Sequence, residues 1–145
     1  EFIQAVWREH LGIEVKLANQ EFRVYLNTLT EDAPPIYRAG WCTDYPDQNN
    51  WVLEVFHPTM GQNDPKWSGP AADEFARLTE QAAAESDPDK RKELYFEAER
   101  ILCVDEAVIM PIYYYTTVVC NKPYVERTYQ LVAGEHWDKW KIKAH

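Results

Sequence analysis

The sequence has few of the features that bind nucleic acids or lipid bilayers. It carries 15 basic residues against 24 acidic ones, for a net charge of −9. Phosphate backbones and anionic membrane surfaces are bound by clustered Lys and Arg, so both classes of partner are disfavoured. The longest apolar stretch, around residues 108–120, is too short and too polar to span a bilayer.

Metal-binding and catalytic motifs are also missing. The chain has three cysteines and no CxxC pair, and its four histidines are scattered without metal-ligand spacing. It contains no GxSxG, HExxH, P-loop or Rossmann glycine pattern. The sequence therefore predicts no metal, no cofactor and no catalytic residue from a known motif.

The chain begins at Glu1 with neither an initiator Met nor an export signal. A helical pattern follows at once, so we expect the chain to be an excised piece, and the missing signal says nothing about compartment. Its 145 residues, 46% of them hydrophobic, suit one domain with its own core. We therefore interpret residues 1–145 as a single domain.

Apolar residues at helical spacing predict several helices. The first ends at Gly12, and the second is capped by Asn19. A short helix is expected within residues 47–56, followed by a loop over residues 57–70. Asp87 is predicted to cap the last helix, with Pro88 at its first position. The core-facing residues predicted for the last two helices are Ala71, Phe75, Leu78 and Ala82 on the first and Leu94, Tyr95, Ala98, Ile101 and Leu102 on the second.

Three stretches predict strands. Residues 13–17 alternate between apolar and charged side chains, and residues 36–41 form a second short apolar run. A helix separates these two runs, so the strands are expected to be parallel. The β-branched and aromatic run "AVIMPIYYYTTVVCNKP" predicts two more segments around Pro111. The predicted fold class is α/β, with a mixed sheet flanked by helices.

The stretch "RAGWCTDYPDQNNW" at residues 38–51 holds the strongest candidate site. Asp44 follows a predicted strand by three residues, beside Trp41 and Tyr45, and ligands of open α/β sheets collect beyond strand ends. A carboxylate there can accept charge-assisted hydrogen bonds from an ammonium group. A plain turn is the alternative for Asp44. Asp47 follows Pro46, where a turn is favoured, although the two aspartates could also form a glycosidase-like pair.

Several motifs together resemble a known family. They are "GWCTDYPD", then "DPDKRKELYFEAE", then "PIYYY", then a strand ending in "KP". In order and spacing they are similar to the C-terminal lobe of the oligopeptide-binding proteins of ABC importers, which are extracytoplasmic peptide- and nickel-type solute-binding proteins. The resemblance covers about residues 12–124.

The resemblance implies a two-lobed, periplasmic-binding-protein-like clamp that closes on a peptide, with this chain as part of one lobe. It implies that Asp44 holds the α-ammonium of the peptide and that Trp41 lines a side-chain pocket, with Tyr45 beside them. Arg38 is implied at the ligand site. Phe22, at a helix start, is implied as a second hydrophobic wall.

The resemblance also implies that Tyr115 and an Asn of the loop, Asn63, approach the peptide backbone. Some oligopeptide binders carry a basic residue near positions 29 and 30, and this chain has Leu29 and Thr30 there. Recognition of the peptide carboxylate therefore stays open. Cys42 occupies a position that pairs with another Cys in some relatives, and its partner would lie upstream of this chain.

The implied role is transport and not catalysis, without a cofactor. The implied partners are a peptide, the N-terminal lobe of the same protein and the membrane permease subunits, at a periplasmic or extracellular location. An anchor upstream of Glu1 stays open. The alternatives are a nickel complex or oligosaccharide as ligand, a carbohydrate-active enzyme that uses Asp44 and Asp47, and an interaction module with exposed aromatic residues.

Overall fold

The structure is a computed structural model that describes residues 1–128 and 136–144. The chain divides into two compact units, Glu1–Tyr37 and Arg38–His145. The first unit contains helix α1 (Phe2–Leu11) and helix α2 (Phe22–Asp32). As predicted, Gly12 ends α1 in a left-handed conformation with a φ of 66°, which glycine adopts without steric cost.

The start of α2 corrects one prediction. Asn19 does not cap this helix. Glu21 does, because its carboxylate accepts hydrogen bonds from the backbone N–H groups of Arg23 at 2.9 Å and Val24 at 3.2 Å. A cap must lie directly before the first helical residue to reach the unpaired N–H groups of the first turn, and Asn19 lies two residues too early.

The second unit is built around helix α3 (Gln48–Phe56), helix α4 (Pro70–Ala84) and helix α5 (Pro88–Arg100). Asp87 caps α5 as predicted, by accepting hydrogen bonds from the N–H groups of Asp89 at 3.0 Å and Lys90 at 3.2 Å. One π-helical turn, Ile101–Asp105, continues α5. A short 3-10 turn, Trp137–Lys139, lies near the end of the chain.

The core of the second unit lies between α4 and α5. Phe75 of α4 and Tyr95 and Ala98 of α5 are fully buried, and the Trp67 ring meets the Phe75 ring edge-on at 5.2 Å. The burial of Phe75, Leu78 and Ala98 was predicted correctly. The other buried apolar residues of this core are Val52, Leu78, Ala82 and Leu102.

The predicted core face of α5 is confirmed. Tyr95, Ala98 and Leu102 are buried, whereas Leu94 and Ile101 are half-buried and pack against the same core. The larger Tyr95 ring fills the space against α4, and its hydroxyl finds polar partners at the edge of the core.

The predicted mixed sheet is not shown. The only strands among residues 1–128 and 136–144 are β1 (Val125–Glu126) and β2 (Lys141–Ile142), which pair antiparallel. Residues 13–17, 36–41 and 108–122 form no strand, and every side chain from 110 to 122 is exposed. A strand needs the backbone N–H and C=O groups of a neighbouring strand, and no strand in the described part of the chain lies beside these segments.

No helix in the described part of the chain combines the length and the apolar composition that crossing a membrane requires.

Candidate ligand-binding site

Asn50 of α3 organises the loop that carries Asp44. The Asn50 side chain is fully buried. Its Oδ1 accepts hydrogen bonds from the Trp41 indole Nε1 at 2.9 Å and from the Asp44 backbone N–H at 3.0 Å. Its Nδ2 donates to Asp44 Oδ2 at 3.3 Å and to Glu54 Oε2 at 2.6 Å. Both ends of the amide are therefore fully used, and they tie two residues of the loop to the helix.

Asp44 itself is exposed, and its Oδ1 forms no hydrogen bond with a described residue. Within residues 1–128 and 136–144, neither Asp44 nor Glu54 forms an ion pair. Two carboxylates thus share one amide nitrogen without a compensating cation from this part of the chain. A positively charged group from outside would be attracted to them.

Tyr45 and Asn49 hold the second of these carboxylates. The Tyr45 hydroxyl donates to Glu54 Oε1, and Asn49 Nδ2 donates to the Tyr45 hydroxyl at 2.7 Å. The hydrogen bond to Glu54 raises the pKa of the Tyr45 phenol. Glu54 is half-buried and accepts hydrogen bonds through both of its oxygens, so it is fixed in place behind Asp44.

Asp47 has a different environment from Asp44. Arg91 of α5 donates to Asp47 Oδ2 at 3.0 Å and to Oδ1 at 2.7 Å, and the Asn49 backbone N–H donates to Oδ1 at 2.8 Å. The Arg91 guanidinium lowers the pKa of the Asp47 carboxyl. Asp47 bonds its own following backbone, as the turn interpretation predicted. It is the cap of α3 and its link to α5.

Arg38 and Tyr115 lie together in the second unit. The Arg38 guanidinium carbon is 5.7 Å from the centre of the Tyr115 ring, within the range of a cation–π contact. The Tyr113 ring meets the Tyr115 ring edge-on at 4.9 Å. Both tyrosine rings are more than half exposed.

Asn63 and Phe22 are located elsewhere in the chain. Asn63 has a left-handed backbone with a φ of 45°, and its Nδ2 donates to the carbonyls of Pro58 at 3.3 Å and Trp67 at 3.4 Å. It lines an open groove of about 570 Å³ between its loop and α4, into which Asp44 does not project. Phe22 begins α2 in the first unit, with 70% of its surface exposed.

The described residues contain no group of three or more His, Cys, Asp or Glu side chains that could hold a metal ion. All three cysteines are free thiols, and Cys42 is exposed.

Known proteins resemble this chain over most of its length. No family model matches it. The oligopeptide-binding protein OppA of Bacillus subtilis is 40% identical over 115 residues, which cover 79% of this chain and 20% of that protein. The periplasmic oligopeptide-binding protein OppA of Salmonella typhimurium is 33% identical over 123 residues, covering 85% of this chain and 22% of the relative.

The chain is homologous to part of the oligopeptide-binding proteins. The dipeptide-binding protein DppE of Bacillus subtilis extends the match to 143 residues, at 32% identity, covering 99% of this chain and 25% of that relative. The chain thus spans about a fifth to a quarter of the length of these oligopeptide-binding relatives.

Two residues of the site were not predicted from the sequence. Asn50 and Glu54 were not singled out, although they are four residues apart on a helix that was predicted. Residues with that spacing share one helix face. Two polar side chains on one face of a short helix, directly after an exposed aspartate, were the available signal.

Proposed function

We propose that the chain is part of the extracytoplasmic substrate-binding component of an ABC importer, and that this component binds peptides. The names of its relatives, oligopeptide-binding and dipeptide-binding, support a peptide ligand, and the Salmonella relative is named as periplasmic. The proposal includes a clamp of two lobes, with residues 1–145 as part of one lobe, and permease subunits as partners in the membrane.

The arrangement of Asp44 carries the proposal. Its exposed carboxylate is oriented by Asn50 and backed by Glu54, and no cation from the described residues neutralises the pair. The free amino terminus of a peptide is an ammonium group with three donors, so it can bond the open Oδ1 and gain from both negative charges. We assign Asp44 to the peptide amino terminus.

The remaining residues extend the proposed cleft. The Trp41 ring is half-buried and held through its indole N–H, which leaves its apolar faces to contact a ligand side chain. The Tyr45 hydroxyl donates to Glu54, the second carboxylate that is bonded to Asn50. We further propose that Arg38, Tyr115, Phe22 and Asn63 contact the peptide when both lobes are present.

Binding without catalysis accounts for the two aspartates better than a glycosidase pair does. A glycosidase needs one carboxyl group with a raised pKa to act as the acid. Arg91 lowers the pKa of Asp47, which stays ionised and bonded to α5. Asp47 is therefore unsuited to donate a proton.

Asp44→Asn in the full-length protein tests the assignment. We expect the fold to persist and peptides with a free amino terminus to lose about 1.5–3 kcal/mol of binding free energy, the range for a hydrogen bond to a charged group. N-acetylated peptides should bind the wild type poorly and respond little to the change. Isothermal titration calorimetry with matched free and acetylated peptides measures both effects.

Asp89→Asn is the matched control, because Asp89 is an exposed aspartate in the first turn of α5 and its loss removes the same charge. Equal losses for free and acetylated peptides on Asp44→Asn would make Asp44 a structural turn residue. Native mass spectrometry of the full-length protein should show a copurified peptide. A copurified nickel complex or oligosaccharide would contradict the peptide assignment.

A further inference from the structure

Both hydrogen bonds that tie Asp44 to the described chain run to one side chain, that of Asn50. Asp44 lies in a loop without regular structure, whereas Asn50 lies in the first turn of α3, whose cap is itself bonded to α5. Asn50 thus connects the exposed Asp44 to the helices of the second unit.

The two bonds fix Asp44 at two points. Asn50 Oδ1 accepts the Asp44 backbone N–H, and Asn50 Nδ2 donates to the Asp44 carboxylate oxygen Oδ2. A side chain held at its backbone and at one carboxylate oxygen cannot rotate freely about its own bonds. The other oxygen, Oδ1, forms no hydrogen bond with a described residue and is available to a ligand.

The position requires an amide. The side chain lies between the carboxylates of Asp44 and Glu54, to which it must donate, and it must also accept from the Trp41 indole. An Asn amide offers two donors and two acceptor lone pairs in one plane. A carboxylate there could not donate, and an aliphatic side chain could do neither.

We infer that Asn50 is a positioning residue that sets the preference of the site for a free peptide amino terminus, by holding the Asp44 carboxylate in its binding orientation. This inference rests on the proposed function. Asn50 does not touch the ligand; it acts through Asp44.

Asn50→Leu in the full-length protein is the first test, because Leu has a similar size and makes no hydrogen bonds. Affinities are measured by calorimetry for one peptide with a free amino terminus and for its N-acetylated form. We expect the ratio of the two affinities to fall roughly tenfold, which corresponds to about 1.4 kcal/mol. Partial unfolding would lower the fraction of binding-competent protein equally for both peptides. The ratio of the two affinities therefore distinguishes a loss of Asp44 positioning from a folding defect.

Asn27→Leu is the matched control, because Asn27 is an exposed Asn of α2, and it should leave the ratio unchanged. If Asn50→Leu does not fold, Asn50→Ser replaces it, since its hydroxyl can still serve one buried partner. If neither folds, hydrogen exchange at the Asp44 N–H of the wild type decides. Exchange at this N–H should be slow without a ligand, and it should slow further with the peptide that has a free amino terminus but not with the acetylated form. Rapid exchange with and without peptide would refute the inference.

Asp44→Asn separates a failure of the proposed function from a failure of the role of Asn50. The first outcome is that Asp44→Asn brings the ratio of the two affinities close to one, while folded Asn50 variants keep the wild-type ratio. The proposed function then stands, and only the role of Asn50 is wrong. If Asp44→Asn also keeps the ratio, the assignment of Asp44 fails and this inference fails with it. If Asn50 acts through Asp44, Asn50→Leu added to Asp44→Asn should change the ratio no further.

Discussion

Asp47 and Arg91 form a bidentate ion pair. It joins the start of α3 to the first turns of α5, although the two residues are 44 positions apart in the chain. Arg91 also donates through Nε to the carbonyl of Ala82, at the end of α4, at 3.1 Å. One guanidinium of α5 therefore bonds to the cap of α3 and to α4. Its planar set of five donors makes this possible, and a Lys could not replace it.

The charge of Asp47 should stabilise the second unit only above acidic pH. Because Arg91 lowers the Asp47 pKa below its ordinary value of 3.8, the stabilisation is complete above that value and is lost as the pH falls through the lower folded-state pKa. Asp47→Asn keeps a good cap and removes the charge. We expect it to cost about 1 kcal/mol at pH 7, since the pair is partly exposed, and much less below the pKa of the folded protein.

Amide hydrogen exchange in α3 and α5 measures the loss of stability caused by Asp47→Asn, with wild type and variant compared at the same pH. Glu74→Gln is the control, because Glu74 forms an exposed pair with Arg77 within a single helix and joins no separate elements. A cost for Asp47→Asn that is equal at pH 7 and at strongly acidic pH would contradict the role of its charge.

Phe75 is the central packing residue of the contact between α4 and α5. It is completely buried, and its ring meets Trp67 edge-on. We expect Phe75→Ala to lower the free energy of unfolding of this unit by about 3–5 kcal/mol, through lost burial and a residual cavity. Phe96→Ala on α5 removes the same side chain at a position that is 67% exposed and should cost far less. Similar costs for the two variants, measured by urea denaturation, would show that the core lies elsewhere.

Three helix-end residues were predictable from local signals in the sequence, whereas the cap of α2 was not. Gly12, Asp87 and Pro88 each act within one turn of their own position, and all three lie where they were expected. The core face of α5 was predictable as well, but how deeply each of its residues is buried was not, because Leu94 and Tyr95 are both apolar enough for the core. Contacts with α4 bury Tyr95 more deeply than Leu94, and a sequence pattern does not contain those contacts.

Strands were the least predictable elements, for a physical reason. The run around Tyr113–Tyr115 has the composition of a strand, yet a strand exists only with a partner whose backbone completes its hydrogen bonds. Contacts between separate elements also limited how much of the site could be predicted. The positions of Asp44 and Trp41 were visible in one short motif, whereas the role of Asn50 depends on bonds that only the folded loop and helix bring together.

At the scale of the whole molecule, the proposed clamp makes a prediction about the 145-residue chain by itself. A two-lobed site buries most of a ligand between its lobes, and one lobe leaves about half of those contacts unmade. We therefore expect the chain alone to bind peptides much more weakly than the full-length protein. Calorimetry with one peptide, titrated into the 145-residue chain and into the full-length protein, compares the two affinities directly. Micromolar affinity for the chain alone would indicate a self-contained binding module and contradict the clamp.

The segment between Glu106 and Lys122, which is exposed from residue 110 onward, has a practical consequence for solubility. It carries no charge, and residues 112–120 are β-branched, aromatic or small, without Pro or Gly, which is the composition of segments that assemble into intermolecular sheets. At neutral pH the net charge of −9 keeps chains apart, but this repulsion vanishes near the isoelectric point of about 4.9. Preparations of the chain alone should therefore precipitate on mild acidification and remain dispersed at slightly alkaline pH and low salt.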